Sequence, residues 1–312
     1  MLRGAISSDI DTLQSIYGGR GCRRAGGYTY DELRIGLENS CTFLDKYGIK
    51  ATLFMVGDDF TRPADHGVIR AVANDGHEIA NHTMTHAQGF RLLSAADKER
   101  EIAGMEDACY AVIGKRPIGF RSPGWNMGDD AIGILQRRGY LYDSSVHPMS
   151  LTPLFKFLHW WNTSQRTGGD RTTLGHLSYM FAPLQPYRSD ATSLARRGSN
   201  GLIELPLTVV PGVRFPFWAT LLLASGFDLF ARCYRILRSM QYPIQYQFHL
   251  SDFVDYNQHG LADQVPGVNT GVYVPQALRV PLKQKLELFE RAVDLIAADY
   301  SFVTLDEWAR TV

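Results

Sequence analysis

Two rhythms of apolar and polar positions alternate along the chain. RGAISSDID near the N-terminus, KATLFMVG and HEIANH are short apolar runs of strand length. Between them TYDELRIGLENSCTFLDKYG and ADHGVIRAVANDG read as helices, the first with a capping box at Thr29 and Glu32 and a stop at Gly48, the second ending at Gly76. In SAADKEREIAGMEDACYAVIG, Ile102, Met105, Cys109, Val112 and Ile113 mark one helical face. The strand IGFRSPG, the helix DDAIGILQRRG and the strand YLYDSS follow. After an irregular stretch come LIELPLTVV, a helical region from about Phe217, the strand IQYQFHLS, the helix PLKQKLELFERAVDLIAAD and a last strand SFVTL.

Strands alternating with helices of this length imply βαβ units and a parallel sheet. Asp9, Asp11, His82, His86, Arg121, Asp143 and His249 all fall at or just past the C-terminal ends of different strands. A (β/α) barrel gathers such ends on one face, whereas a doubly wound sheet gathers them only near its switch point. The expectation is an α/β fold, a distorted barrel of about seven strands, with residues 1–312 forming a single domain. Residues 146–201 lack a period and carry an excess of Lys and Arg over Asp, and are expected to fold over the barrel mouth as a cap. The run FPFWATLLLAS is too short to span a bilayer and reads first as a buried or partner-facing helix start.

Composition narrows the function classes. Lys plus Arg and Asp plus Glu number 32 each, so no global field favours nucleic acid, and none is expected as a partner. Cys22, Cys41, Cys109 and Cys233 have no metal-ligand or disulfide-framework spacing, and Cys41 and Cys109, on apolar helix faces, read as buried free thiols. The chain opens directly into a strand without the charged and apolar regions of a signal peptide, so a cytoplasmic location is expected.

One carboxylate with two imidazoles makes a metal site, and His82 and His86 have a spacing that one turn or a tight loop can bring to one cation. Asp9 and Asp11 point the same way on a strand, where two like charges repel unless a dication neutralises one and an arginine the other. SSDID, NHTMTH, FRSPGW, YDSS and FHLSDF, in that order, resemble the five motifs of the NodB-type polysaccharide deacetylases, carbohydrate esterase family 4. The opening is most similar to the Asp-x-Asp branch, which includes peptidoglycan deacetylase-like and aminoarabinose-lipid deformylase-like proteins. The resemblance spans residues 4–145 and 202–310 and implies a distorted barrel with one divalent metal ion, commonly zinc. It implies Asp11, His82 and His86 as ligands, Asp9 as the base that deprotonates the attacking water, and Arg121 as the cation holding Asp9 ionised. His249 would be the acid that protonates the leaving amine, with Asp143 as its partner and Asp252 as the alternative.

The chemistry is coherent apart from the family. An unactivated amide needs an activated nucleophile, charge stabilisation on its carbonyl oxygen and a proton for a poor leaving group. The expected function is metal-dependent hydrolysis of an N-acyl group, acetyl or formyl, from an amino sugar. Departures from the family pattern are the replaced Asp-Asp opening and the absent tryptophan in YDSS. Trp125 could line the sugar subsite or simply pack. Arg20, Arg23 and Arg24, with the basic cap, could meet a phosphate, so a phospholipid-linked sugar and peripheral membrane contact stand as the alternative; ordinary solvated arginines fit as well. A lapsed carbohydrate-binding protein and a phosphate-ester hydrolase are the readings from other classes. His66, His77, His147, His159, His176 and His259 are read as non-catalytic.

Overall fold

The computed structural model describes residues 1–13, 15, 31–87, 89–153, 176–258 and 280–312. Cys22, Thr29, His159, His259, Arg20, Arg23 and Arg24 lie outside the described residues. Six strands follow one another across a parallel sheet: β1 (Leu2–Ile10), β2 (Thr52–Met55), β3 (Glu78–Asn81), β4 (Gly119–Phe120), β5 (Tyr142–Asp143) and β8 (Ile203–Glu204). On the other side of β1 lies β11 (Ile244–His249), also parallel, and β12 (Tyr300–Phe302) pairs with the first residues of β1. Among the described residues no ladder joins β8 to β11. The Gln245 backbone N–H instead donates to Thr208 Oγ1 across that gap (2.7 Å), so the barrel is a curled, incompletely closed one.

Helices α1 (Glu32–Asp45), α2 (His66–Asn74), α3 (Ala95–Ile113), α4 (Ala131–Arg137), α5 (Ala219–Ser225), α6 (Phe227–Ser239), α7 (Leu282–Ala297) and α8 (Leu305–Ala309) complete the regular elements used below. The two-residue period of each strand sorts its side chains. Ile6 and Ile10, Leu53 and Met55, and Ile244, Tyr246 and Phe248 face the helices, where they pack with Leu33, Leu37, Ile69, Phe289 and Val293. Inside the barrel, Ala5, Phe54, Ala80, Tyr142, Ile203 and Leu205 form an apolar layer with Leu305 and Trp308 of α8, which plugs the N-terminal end of the strands. One step further along the same strands the interior turns polar: Ser7, Asp9, Gln245, Gln247 and Arg121 are all buried. A barrel that spends its upper layer on buried polar groups does so where chemistry is needed.

Two local expectations bear on this frame. The expected capping box at Thr29 and Glu32 lies partly outside the described residues; the Glu32 carboxylate accepts from the Leu13 backbone N–H (2.9 Å) and Tyr256 OH (2.7 Å), tying the end of β1 to a distant loop. Part of the 146–201 insert continues the sheet: β6 (Tyr187–Asp190) pairs antiparallel with β8 and with β7 (Ser193–Arg197). Residues 154–175 lie outside the described residues. FPFWATLLLAS forms β10 (Phe215–Pro216), antiparallel to β9 (Val209–Val210), and then α5, with Phe217, Ala219 and Leu222 buried. Cys41, Cys109 and Cys233 are free thiols. Among the described residues, no helix is long and apolar enough to cross a membrane.

Candidate active site

The polar layer is organised around Arg121, a fully buried guanidinium just past β4. Its Nη1 donates to Asp9 Oδ1 (2.5 Å), its Nη2 to Ser7 Oγ (3.1 Å) and Ser144 Oγ (2.9 Å), and its Nε to the Ser144 carbonyl (3.0 Å). Its plane lies over the Phe54 ring at 4.0 Å. The other Asp9 oxygen accepts from Gln247 Nε2 (2.7 Å). Burial alone would raise the Asp9 pKa. The Arg121 charge, then those of His82 and His249, more than offset it, and the carboxyl sits below its usual range. Asp9 is thus a buried, ionised and rigidly aimed carboxylate.

Asp11, His82 and His86 offer ligand atoms that all lie within 4.8 Å of one another. His86 Nε2 is 3.7 Å from Asp11 Oδ2. His82 Nδ1 pairs with the Arg121 carbonyl at 2.8 Å; donation to that oxygen fixes the tautomer and leaves Nε2 as a lone-pair donor, as metal-ligating histidines are usually arranged. Burial, then the neighbouring Asp9 charge, push the Asp11 carboxyl well above the usual range, the mark of an acid short of positive charge. These residues fit a dication. The loop that carries the histidines is strained to do so: Thr83 and His86 have left-handed backbone (φ 68° and 53°). Asn81 holds it by accepting from the Thr83 N–H (2.7 Å), and Glu101 by accepting from Thr85. Asp45, Asp75 and His77 form a second cluster of metal-ligand types, but Lys50 Nζ already lies 2.6 Å from Asp75 and 3.3 Å from Asp45.

Across the ladder from Asp9 its register partner is His249, which remains about one-fifth exposed. The carboxylate beside it is Asp252, which accepts from the His249 backbone N–H (2.8 Å) and lies 4.0 Å from Nδ1. Among the described residues no hydrogen bond or ion pair joins Asp143 to His249. Asp143 accepts from the Ser145 N–H (3.0 Å) and Oγ (2.7 Å), and it faces Glu204. Burial first and the Asp143 charge second push Glu204 well above the carboxylate range. The sequence-based pairing of Asp143 with His249 is therefore replaced by Asp252, because the strand end that carries Asp143 turns it toward β8 instead.

Trp125 is buried against Trp218 and His249, at ring-centroid distances of 4.8 and 6.2 Å. Gln247, Ser7, Ser144 and Trp218 were not singled out from the sequence. For Gln247 a signal exists: in IQYQFH the polar residues Gln245, Gln247 and His249 alternate with apolar ones, so one face of the strand is polar along its whole length. His77 accepts from the Ala51 N–H (3.1 Å), and His66 and His176 are tied to their own loops.

Comparison with known proteins bears on this site. Residues 27–142 match the family model described as polysaccharide deacetylase. A peptidoglycan deacetylase-like protein of Gibberella zeae, FGM2, is 33% identical over 120 residues, covering 36% of this chain and 33% of that protein. The chain spans about a third of the length of the first curated relatives it matches. In fold, a structure designated a polysaccharide deacetylase from Mycobacterium smegmatis covers all of this chain and 90% of its own (TM-score 0.60, 19% identity). The Puue allantoinase covers 99% and 89% (TM-score 0.55, 13% identity). Fold likeness reaching differently named enzymes leaves the site residues to carry the function. The stretch that matches the polysaccharide deacetylase model, residues 27–142, holds His82, His86 and Arg121.

Proposed function

We propose that the protein is a metal-dependent hydrolase that removes an N-acyl group from an amino sugar within a carbohydrate chain. The observation that carries this reading is the meeting of Asp11, His82 and His86 within 4.8 Å, beside an Asp9 locked to buried Arg121. The names of relatives, which include peptidoglycan and chitin deacetylases, point to an N-acetylated sugar polymer.

Asp11, His82 and His86 would hold the metal, for which zinc suits the one-carboxylate, two-imidazole donor set. When bound, the ion polarises the acyl carbonyl and makes water acidic enough to be activated at neutral pH. Asp9 takes the proton from the attacking water, and Arg121 and Gln247 aim its oxygens. His249, its neighbour across the ladder, gives a proton to the departing amine, with Asp252 supporting the charge on the imidazolium. Base and acid each contribute on the order of 10²–10⁴-fold.

The test is mass spectrometry of N-acetylglucosamine oligomers after incubation with the protein, with and without chelator. Stepwise loss of acetyl groups, abolished by chelator and reduced at least about 10²-fold in Asp9→Asn, supports the reading; full activity in Asp9→Asn contradicts it. A second substrate class, the lipid-linked N-formyl sugar of the deformylase-like branch, has one observation in its favour. The outer face of α6 exposes Leu229, Ile236 and Met240 next to Arg232 and Arg235, a composition suited to an anionic membrane surface. Loss of cosedimentation with anionic vesicles in Arg232→Glu/Arg235→Glu checks it.

A further inference from the structure

Asn81, the last residue of β3, uses its whole side chain. Its Oδ1 accepts from the Thr83 N–H (2.7 Å), while its Nδ2 donates to the Ile102 carbonyl of α3 (3.0 Å) and to Tyr140 OH (2.6 Å). With both amide protons engaged, the group has one orientation, and its oxygen stays aimed at the histidine loop. Tyr140 is delivered to Asn81 by the end of α4. Gly139 takes a left-handed backbone (φ 82°) and the Tyr140 N–H donates to the Leu135 carbonyl (3.0 Å), which turns the ring back into the core. The Tyr140 hydroxyl, an acceptor toward Asn81, gives its own proton to Glu106 on α3. Glu106 is buried and held by Arg138 Nε and Nη2 (2.7 Å each) and by Arg116 Nη1 (2.9 Å). A line of side chains therefore runs inward from the surface: Arg138, Glu106, Tyr140, Asn81.

That line ends on strained backbone. Thr83, a β-branched residue, has φ of 68°, and His86 has φ of 53°. Such conformations cost free energy and persist only where the surroundings impose them. Thr83 lies directly after His82 and three residues before His86, so the path of this loop decides whether the two rings face one point. A loop already held in shape leaves an arriving ion only the task of binding; a relaxed loop consumes part of the binding free energy in being re-formed.

We propose that Tyr140 is a positioning residue for the metal centre: through Asn81 it holds the histidine loop ready for a divalent ion, and Glu106 with its arginines holds Tyr140. This rests on the reading of Asp11, His82 and His86 as the metal ligands. Tyr140 acts through Asn81 and on no ligand directly, from the far side of β3.

Tyr140→Phe deletes one oxygen and keeps the ring that packs edge-on to Phe120 (6.2 Å between centroids). Its zinc affinity, read by competition with a chromophoric chelator, is expected to be about tenfold weaker than wild type, as for other groups that orient metal ligands. Arg138→Ala is the control. It loosens the ion pairs on Glu106, where Arg116 remains, and spares the Asn81–Tyr140 bond; a lower thermal midpoint with wild-type zinc affinity is expected. With cobalt(II) in place of zinc, the visible bands, which report ligand geometry, are expected to change in Tyr140→Phe and to stay unchanged in Arg138→Ala. Unchanged zinc affinity in Tyr140→Phe overturns the proposal and leaves the metal site standing. Affinity losses that follow the fall in thermal midpoint in both variants, with unaltered cobalt bands, make Tyr140 a structural residue and overturn it too. No zinc bound by the wild type overturns the metal site and the proposal together.

Discussion

At the scale of single residues, the site depends on a cation that never meets solvent. Arg121 is worth its burial only because every face of it is used: Asp9, Ser7, two contacts with Ser144 and the Phe54 ring. Removing one member of a buried ion pair strands the other in a low-dielectric interior. Arg121→Ala is therefore expected to destabilise the fold by about 3–5 kcal/mol, read by urea unfolding, and to lower kcat together with it. Arg121→Lys is expected to recover little of either, because an ammonium cannot reproduce the fork that spans Asp9 and Ser144. An Arg121→Ala variant as stable as wild type contradicts this picture. The residues of this site were partly legible. Asp9, Asp11, His82, His86 and Arg121 could be found because each sits at a strand end in a recognisable spacing. Asp252 could only be offered as an alternative to Asp143, since the sequence does not say which way a carboxylate turns after its strand stops.

At the scale of elements, β11 shows how a strand serves two layers. Its odd positions, Gln245, Gln247 and His249, face the barrel interior, and its even positions, Ile244, Tyr246 and Phe248, pack on the helices. The alternation was visible in the sequence, but its purpose was not, because Gln247 meets Asp9 only through strand pairing 238 residues apart. Gln247→Leu keeps the volume and removes the donor to Asp9 Oδ2. It is expected to cost about 1–3 kcal/mol of stability for the unpaired buried oxygen and to lower kcat, with metal content unchanged. An unaltered kcat would remove Gln247 from the account. Elements legible from periodicity were the long ones: α1, α3 and α7 carry clear apolar faces. The two-residue strands β4, β5 and β8 are too short to impose a period, and they lie within the longer runs IGFRSPG, YLYDSS and LIELPLTVV. The β6–β7 hairpin lay hidden in a stretch whose strands hold mixed polar side chains at the sheet edge, where one face needs no apolar pattern.

At the scale of the whole molecule, the barrel has a chemical end and a stabilising end. Glu78 joins three elements at the latter: its carboxylate accepts from Thr52 Oγ1 (2.6 Å), Tyr142 OH (2.7 Å) and the Asp306 N–H of α8 (3.0 Å). Burial pushes its pKa up to about 7. A carboxyl whose folded pKa lies above its unfolded value binds its proton more tightly when folded, so its contribution to stability is complete below about pH 4.5 and declines as pH rises through about 7. Glu78→Gln retains an acceptor for Thr52 and the Asp306 N–H and cannot ionise. The difference in thermal midpoint between Glu78→Gln and wild type is expected to grow in favour of the variant from about pH 4.5 to 7 and then level off; a difference independent of pH contradicts the assignment. The parallel α/β architecture itself was legible from alternation of strand-length and helix-length runs. The open seam between β8 and β11 was not, since closure of a barrel is decided by strand tilt and register, which no local pattern records.

The central claim is that Asp11, His82 and His86 hold one divalent ion while Asp9, two residues from Asp11, holds none and acts as the base. Equilibrium dialysis against zinc, with metal counted per chain in wild type, Asp9→Asn, Asp11→Ala and His86→Ala, tests it most directly. The account predicts one ion in wild type and in Asp9→Asn, and loss of tight binding in the other two. Retention of the ion by Asp11→Ala and His86→Ala, or its loss from Asp9→Asn alone, would contradict it.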